Sequence, residues 1–186
     1  VMNEPLETGL IGGTEKVSVS IADYDNDWPK KFAVHAKIIS EALGRDTLLI
    51  EHIGSTSVPG LAAKPIIDIL VVVQDSTDES VYVPQLEAAG YVLRVREPDW
   101  HEHRMFRTPE KDVHVHVYSA GCPEIQRNLM FRDRLRVNAD DRRRYEQKKR
   151  ELATQDWADM NDYATAKTQT IEEILAAAAT ANMPSR

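Results

Sequence analysis

Cysteine is almost absent from this chain: Cys122 stands alone among 186 residues. A single thiol excludes an internal disulfide framework and any zinc site built from clustered cysteines. No apolar run approaches the roughly 20 residues that a membrane-spanning helix needs. No basic stretch followed by an apolar one opens the chain, so no secretory signal is read there, and a reducing cytoplasm is the expected compartment. Excess positive charge is lacking as well. Lys and Arg number 23 against 30 Asp and Glu, a net charge of −7, which argues against bulk nucleic-acid binding. What remains is 42% hydrophobic and 28% charged, the mix of one soluble domain able to bury a substantial core.

Residues 1–16 carry a Gly pair and little periodicity, and read as a flexible tail, linker or vector-derived remnant. Residues 17–180 read as a single domain and 181–186 as a short tail. Val17, Val19 and Ile21 alternate with serines, the pattern of a half-buried strand or edge segment. Trp28 and Pro29 open a helix that Gly44 ends. Strands are expected over 48–53, 65–73, 91–95, 103–107 and 113–118, with a helix over 81–90 between the second and third. Helices are then expected over 124–137, 140–153 and 161–179. The fold class is α/β in content (α+β), a mixed sheet followed by an all-helical C-terminal third. Residues 121–151 hold ten Lys or Arg and six Asp or Glu, a local +4. That stretch suits either one phosphorylated small molecule or a solvated helix face laced with i,i+4 ion pairs.

Asp68 is the most informative residue. It interrupts an apolar, β-branched run, and a carboxylate buried there costs several kcal/mol unless it is paired, protonated or bound to a metal. Before it, a strand ends in Gly54, Ser55, Thr56 and Ser57. Glycine permits a tight turn and close approach of a ligand, and amides and hydroxyls at such a turn can hold phosphate oxygens. The turn has neither the Lys-Ser/Thr ending of a P-loop nor the GxGxxG of a dinucleotide site.

A strand, a Gly-Ser turn and an acidic strand in this order resemble the nucleotidyltransferase superfamily related to DNA polymerase β. The longer string EHIGSTSVPGLAAKPIIDI, from Glu51 to Ile69, resembles its GrpB branch. So do His114-Val115-His116-Val117, Phe131-Arg132-Asp133-Arg134-Leu135-Arg136, and the pairs Tyr145 with Lys148 and Tyr163 with Lys167. The likeness spans 17–175. It implies a mixed-sheet core with a helical cap, Gly54 and Ser55 gripping the phosphates of a nucleotide, and Mg²⁺ on the acidic strand. Related domains also occur fused behind dephospho-CoA kinase, which implies a kinase partner by analogy; the kinase P-loop is absent here.

The resemblance fails at one place. Active polymerase-like sites carry two carboxylates two residues apart, and here the second position is Leu70. Two-metal phosphoryl transfer needs several acidic ligands holding cations about 3.5–4 Å apart. His114 and His116 are the candidate replacements, since residues two apart on a strand share a face. Two imidazoles and a carboxylate suit a transition metal better than Mg²⁺. They could equally act as acid and base near neutral pH. Glu51 is a further candidate metal ligand and His52 a further pocket residue; alternation lets one of the two reach the pocket. His101, Glu102 and His103 form a weaker trio, read as a mobile loop because of Pro98 and Asp99. Lys64, Arg104, Arg107, Arg132, Arg136, Lys148 and Lys167 are candidate phosphate ligands. Nucleotidyl transfer, a non-catalytic binding or regulatory module, and a His/Asp metal-dependent hydrolase are the three functions these residues allow.

Overall fold

A computed structural model describes residues 6–16, 18–157 and 160–181. The elements run β1 (Gly9–Leu10), α1 (Trp28–Leu43), β2 (Leu49–Ile53), β3 (Ile67–Val73), α2 (Val83–Ala88), β4 (Val92–Glu97), β5 (His103–Arg107), β6 (Val113–Ser119), α3 (Pro123–Val137), α4 (Ala139–Ala153), α5 (Met160–Ala166) and α6 (Thr168–Ala181). The six strands form one mixed sheet in the order β1-β4-β5-β6-β3-β2. Only β3 and β6 run parallel; Asp68 is in register with His114 and Leu70 with His116. The remaining neighbours are antiparallel.

The sheet's two faces differ because residues alternate along each strand. Ile67, Ile69, Val71 and Val73 of β3 join Val113, Val115 and Val117 of β6 in the main core. There they pack with Trp28, Ile39 and Leu43 of α1 and Leu86 of α2. Burying each such side chain stabilises the fold by roughly 1.5–3 kcal/mol. On the opposite face Leu70, Val72, Ile53 and Tyr118 pack with Ile125 of α3. Thus α3 covers the far end of β3 and leaves the end bearing Asp68 open. The loop after β2 contributes Val58 and Leu61 to a third cluster with Leu135, Tyr145 and Ile174, and so fastens the helical cap beside that open end.

Three expectations are corrected. First, the segment read as a flexible tail is docked where it is described: Gly9 and Leu10 pair with Arg96 and Val95 of β4. Arg94 donates to the carbonyls of Ile11 and Gly13, and Arg96 to that of Glu7. Arginines buried on β4 supply the anchor that the tail's own weak periodicity does not reveal. Second, Ser18–Ser20 form no strand. The chain makes a single bridge, Ala22 with Ala63, off the sheet; Val17 lies outside the described residues. Third, the last long helix breaks at Lys167 into α5 and α6. The Lys167 amide closes a tight turn onto Ala164 and the β-branched Thr168 restarts the helix. Residues 182–186 of the C-terminal tail lie outside the described residues.

Candidate functional site

Asp68 stands at the open end of β3 because the backbone makes room for it. Gly54, which opens the turn after β2, has φ +71° and ψ −176°, a region that only glycine occupies readily. A Cβ at Gly54 would lie 2.6 Å from Asp68 Oδ2. The carboxylate therefore sits against bare backbone, with its side chain about 29% exposed toward the cleft.

The parallel register of β3 and β6 puts both imidazoles beside it. His116 Nε2 lies 3.1 Å and His114 Nδ1 3.7 Å from Asp68 Oδ1. One ligand atom from each of Asp68, His114 and His116 can be chosen so that all lie within 4.8 Å of one another. Among the described residues this is the group of three or more His, Cys, Asp or Glu so placed. A metal with bonds of about 2.0–2.2 Å to oxygen and nitrogen would draw them slightly closer. The donor set thus fits a divalent transition metal. Burial drives Asp68 upward, but the His116 hydrogen bond and the charges of His116 and Lys167 outweigh it and hold the carboxyl below its ordinary range. Burial pushes His114 down to about 4 against the opposing pull of Asp68, leaving a neutral imidazole.

Behind His116 the hydrogen bonds continue. His116 Nδ1 lies 3.1 Å from His103 Nε2, and His103 Nδ1 lies 2.6 Å from Glu97 Oε2. An ionised carboxylate only accepts, so His103 Nδ1 donates to Glu97. With Asp68 and Glu97 both accepting, the two imidazoles share three N–H protons along Asp68–His116–His103–Glu97, and a cation bound at His116 Nε2 would replace the proton facing Asp68. Such outer partners fix the tautomer of a ligating histidine. His103 and Glu97 are the residues that sequence reasoning undervalued. The alternation of His101 and His103 was the available signal, but the neighbouring Pro98 and Asp99 suggested a loop. The structure confines the turn to residues before His103, with positive φ at His101 and Glu102, and places His103 in β5.

A cavity of about 180 Å³ opens over Asp68 and His114, lined also by Ser55, Thr56, Lys64, Lys149, Tyr163 and Lys167. Lys64 and Lys167 both stand over the Tyr163 ring, 5.5 and 4.6 Å from its centroid. Lys149 is 2% exposed, donates to the Ala62 carbonyl and stands 5.0 Å from the Tyr145 ring centroid. Burial pushes Lys64 down to about 8. Burial, then the charge of Lys167, pushes Lys149 down to about 7. An unfolded lysine titrates near 10.4. Between about pH 7 and pH 10 the unfolded chain therefore binds more protons at this position, and stability rises with pH. The expected slope from Lys149 is up to roughly 1.4 kcal/mol per pH unit. Denaturant midpoints of wild type and Lys149→Met across that window check it; an equal slope in both would remove Lys149 as the cause.

The cavity selects among the expected residues. It gathers Ser55, Thr56, Lys64, Asp68, His114 and Lys167, and His116 stands beside them. Lys149 lines it in place of its neighbour Lys148. Arg104 is on the opposite face, buried and bound to Glu79 and Glu102, so it is no phosphate clamp. Arg132 is held by Glu51, Asp133 and the His52 carbonyl, and Arg136 by the Ser57 carbonyl. These two arginines brace the cap against the β2 turn. Glu51 is consequently ion-paired at 2.7 Å to Arg132 and lies outside the Asp68 group. His52 also leaves the pocket: it stacks on Phe32 and lies 3.0 Å from the Thr56 hydroxyl. Thr56 donates to the Ile66 carbonyl and Ser57 to that of Gly54, so these hydroxyls shape the turn.

The strand, the Gly-Ser turn, the acid-bearing strand and the helical cap define an α+β domain, a mixed six-stranded sheet with its C-terminal helices packed beside the open end of β3. The chain belongs to the GrpB family: the model for GrpB protein matches residues 18–177. It is 53% identical to the UPF0157 protein BH1888 of Halalkalibacterium halodurans over 93% of this chain and 90% of that one. The crystal structure of the conserved protein GrpB from Enterococcus faecalis superposes with a TM-score of 0.74 at 33% identity, over 85% of this chain and 98% of that one. A dephospho-CoA kinase of Mycolicibacterium paratuberculosis is 28% identical over 82% of this chain and 44% of its own length. Among the described residues no helix is long and apolar enough to cross a membrane.

Proposed function

We propose that this domain binds a phosphorylated small molecule, a nucleotide foremost, together with one divalent cation. Asp68, His114 and His116 would hold the cation, and Lys64, Lys149 and Lys167 would meet the phosphate oxygens. The observation that carries this reading is the meeting of Asp68, His114 and three lysines around one cavity, with His116 beside Asp68. A cation there neutralises phosphate charge and orients the ligand. The imidazoles favour manganese or zinc over Mg²⁺.

Nucleotidyl transfer is the finer possibility, and Leu70 speaks against it. That side chain is fully buried among Ile53, Val72, Tyr118 and Ile125, where a second metal-binding carboxylate would have to stand. A binding or regulatory module, with little or no transfer, is the reading this supports. A kinase as its partner rests on the partial likeness to dephospho-CoA kinase.

Calorimetric titration with nucleoside triphosphates, with and without Mn²⁺ or Mg²⁺, tests the proposal. Asp68→Ala is expected to weaken cation-dependent binding by about 100-fold or more, the loss of roughly 3 kcal/mol from a charged ligand group. Equal affinity in wild type and Asp68→Ala would leave the carboxylate a structural role only. Transfer of a labelled nucleotide to added acceptors would return the domain to the enzymes.

A further inference from the structure

A second cavity, of about 310 Å³, adjoins the first and shares Ile66, His114 and Ala164 with it. Leu10, Val95, Met105 and Ile66 give it apolar walls, and His116 stands at its inner end. Its size is at the lower bound of small-molecule sites. The charged residues around it are all bound to protein. Arg94 holds the carbonyls of Ile11 and Gly13. Arg107 and Lys111 both hold Glu15, at 2.8–3.0 Å. Glu97 holds His103. No lysine triad like that of the first cavity meets a ligand here. A charged group entering this chamber would lose its water and displace an existing pair, whereas an uncharged ring or apolar body would displace only water.

We infer that this chamber receives the uncharged, flat or apolar body of the ligand whose phosphates occupy the neighbouring cavity. The inference rests on the proposed function and narrows its substrate class. The site prefers organic phosphates with a ring or apolar body to inorganic phosphates and to compounds with a charged body. The segment carrying Leu10 and Glu15 then has a role in recognition: docked on β4, it forms the outer wall.

Two probes separate the chamber from the phosphate site, inorganic tripolyphosphate and adenosine triphosphate, each titrated in Mn²⁺. Wild type is expected to bind the adenosine compound at least about tenfold more tightly, as burial of an aromatic ring requires. Met105→Glu should abolish that preference; because Met105 is the cross-strand neighbour of His116, tripolyphosphate binding is read in the variant below, where it should stay within about twofold. Because Met105 is on an inner strand, Leu10→Trp on the edge strand supplies a second variant. It fills the chamber from its outer wall and should do the same. Equal affinity of wild type for both probes, or a preference that survives both variants, overturns the chamber and leaves the phosphate site standing. Failure of wild type to bind either probe overturns the proposed function and this inference with it.

Discussion

Gly54→Ala is expected to lower stability and abolish cation binding together. The backbone at Gly54 lies where non-glycine residues pay about 1–3 kcal/mol. The added methyl would lie 2.6 Å from Asp68 Oδ2, and relief requires the carboxylate or the turn to move. Overpacking of that kind costs roughly 1–3 kcal/mol more. The combined loss of about 2–6 kcal/mol corresponds to a fall of roughly 4–24 °C in Tm for a domain of this size. Either movement takes Asp68 away from His114 and His116. Thermal melts and Mn²⁺ titration measure the two effects on one preparation. An alanine variant with unchanged Tm and unchanged affinity would show that neither the turn nor the approach of Asp68 is as tight as described.

Leu70→Asp, which adds the second carboxylate that the polymerase-like resemblance implies, is expected to unfold the domain rather than activate it. Leu70 is 0% exposed and its cluster mates are apolar. The substitution removes a leucine from a packed core, about 2–5 kcal/mol, and strands a carboxylate there at several kcal/mol more. Typical domains have only about 5–15 kcal/mol in all. Denaturant unfolding should therefore find little or no folded protein at neutral pH. A folded Leu70→Asp protein with raised cation affinity would show that the position opens into the site and can hold a second carboxylate there.

The contrast between Asp68 and Leu70 shows what was legible in the sequence. A lone carboxylate in a β-branched strand after a Gly-Ser turn marks the site without any structure, because burial makes an idle charge there expensive. Period-two spacing likewise puts His114 and His116 on one face. The lysines were harder. Lys149 lies next to Lys148 on a helix of near-continuous polar character, and no pattern in the chain says which of the two turns inward. Arg104 looked as suitable as Arg107, yet successive residues on β5 point to opposite faces, and which face bears the site depends on pairing with β6.

The sequence by itself determined the order of elements from α1 to α4, the central apolar strand, the Gly54 turn and Asp68, His114 and His116 as cation-binding candidates. Each is written in local chemistry: β-branched runs, glycine's conformational freedom and the cost of a buried charge. Tertiary structure alone decided that residues 9 and 10 close the sheet, that His103 backs His116, that Glu51 is taken by Arg132, and that Lys149 reaches the cavity. Those outcomes depend on strand register and on which helix face packs inward. Contacts between residues far apart in the chain settle both, and no short stretch of sequence encodes them.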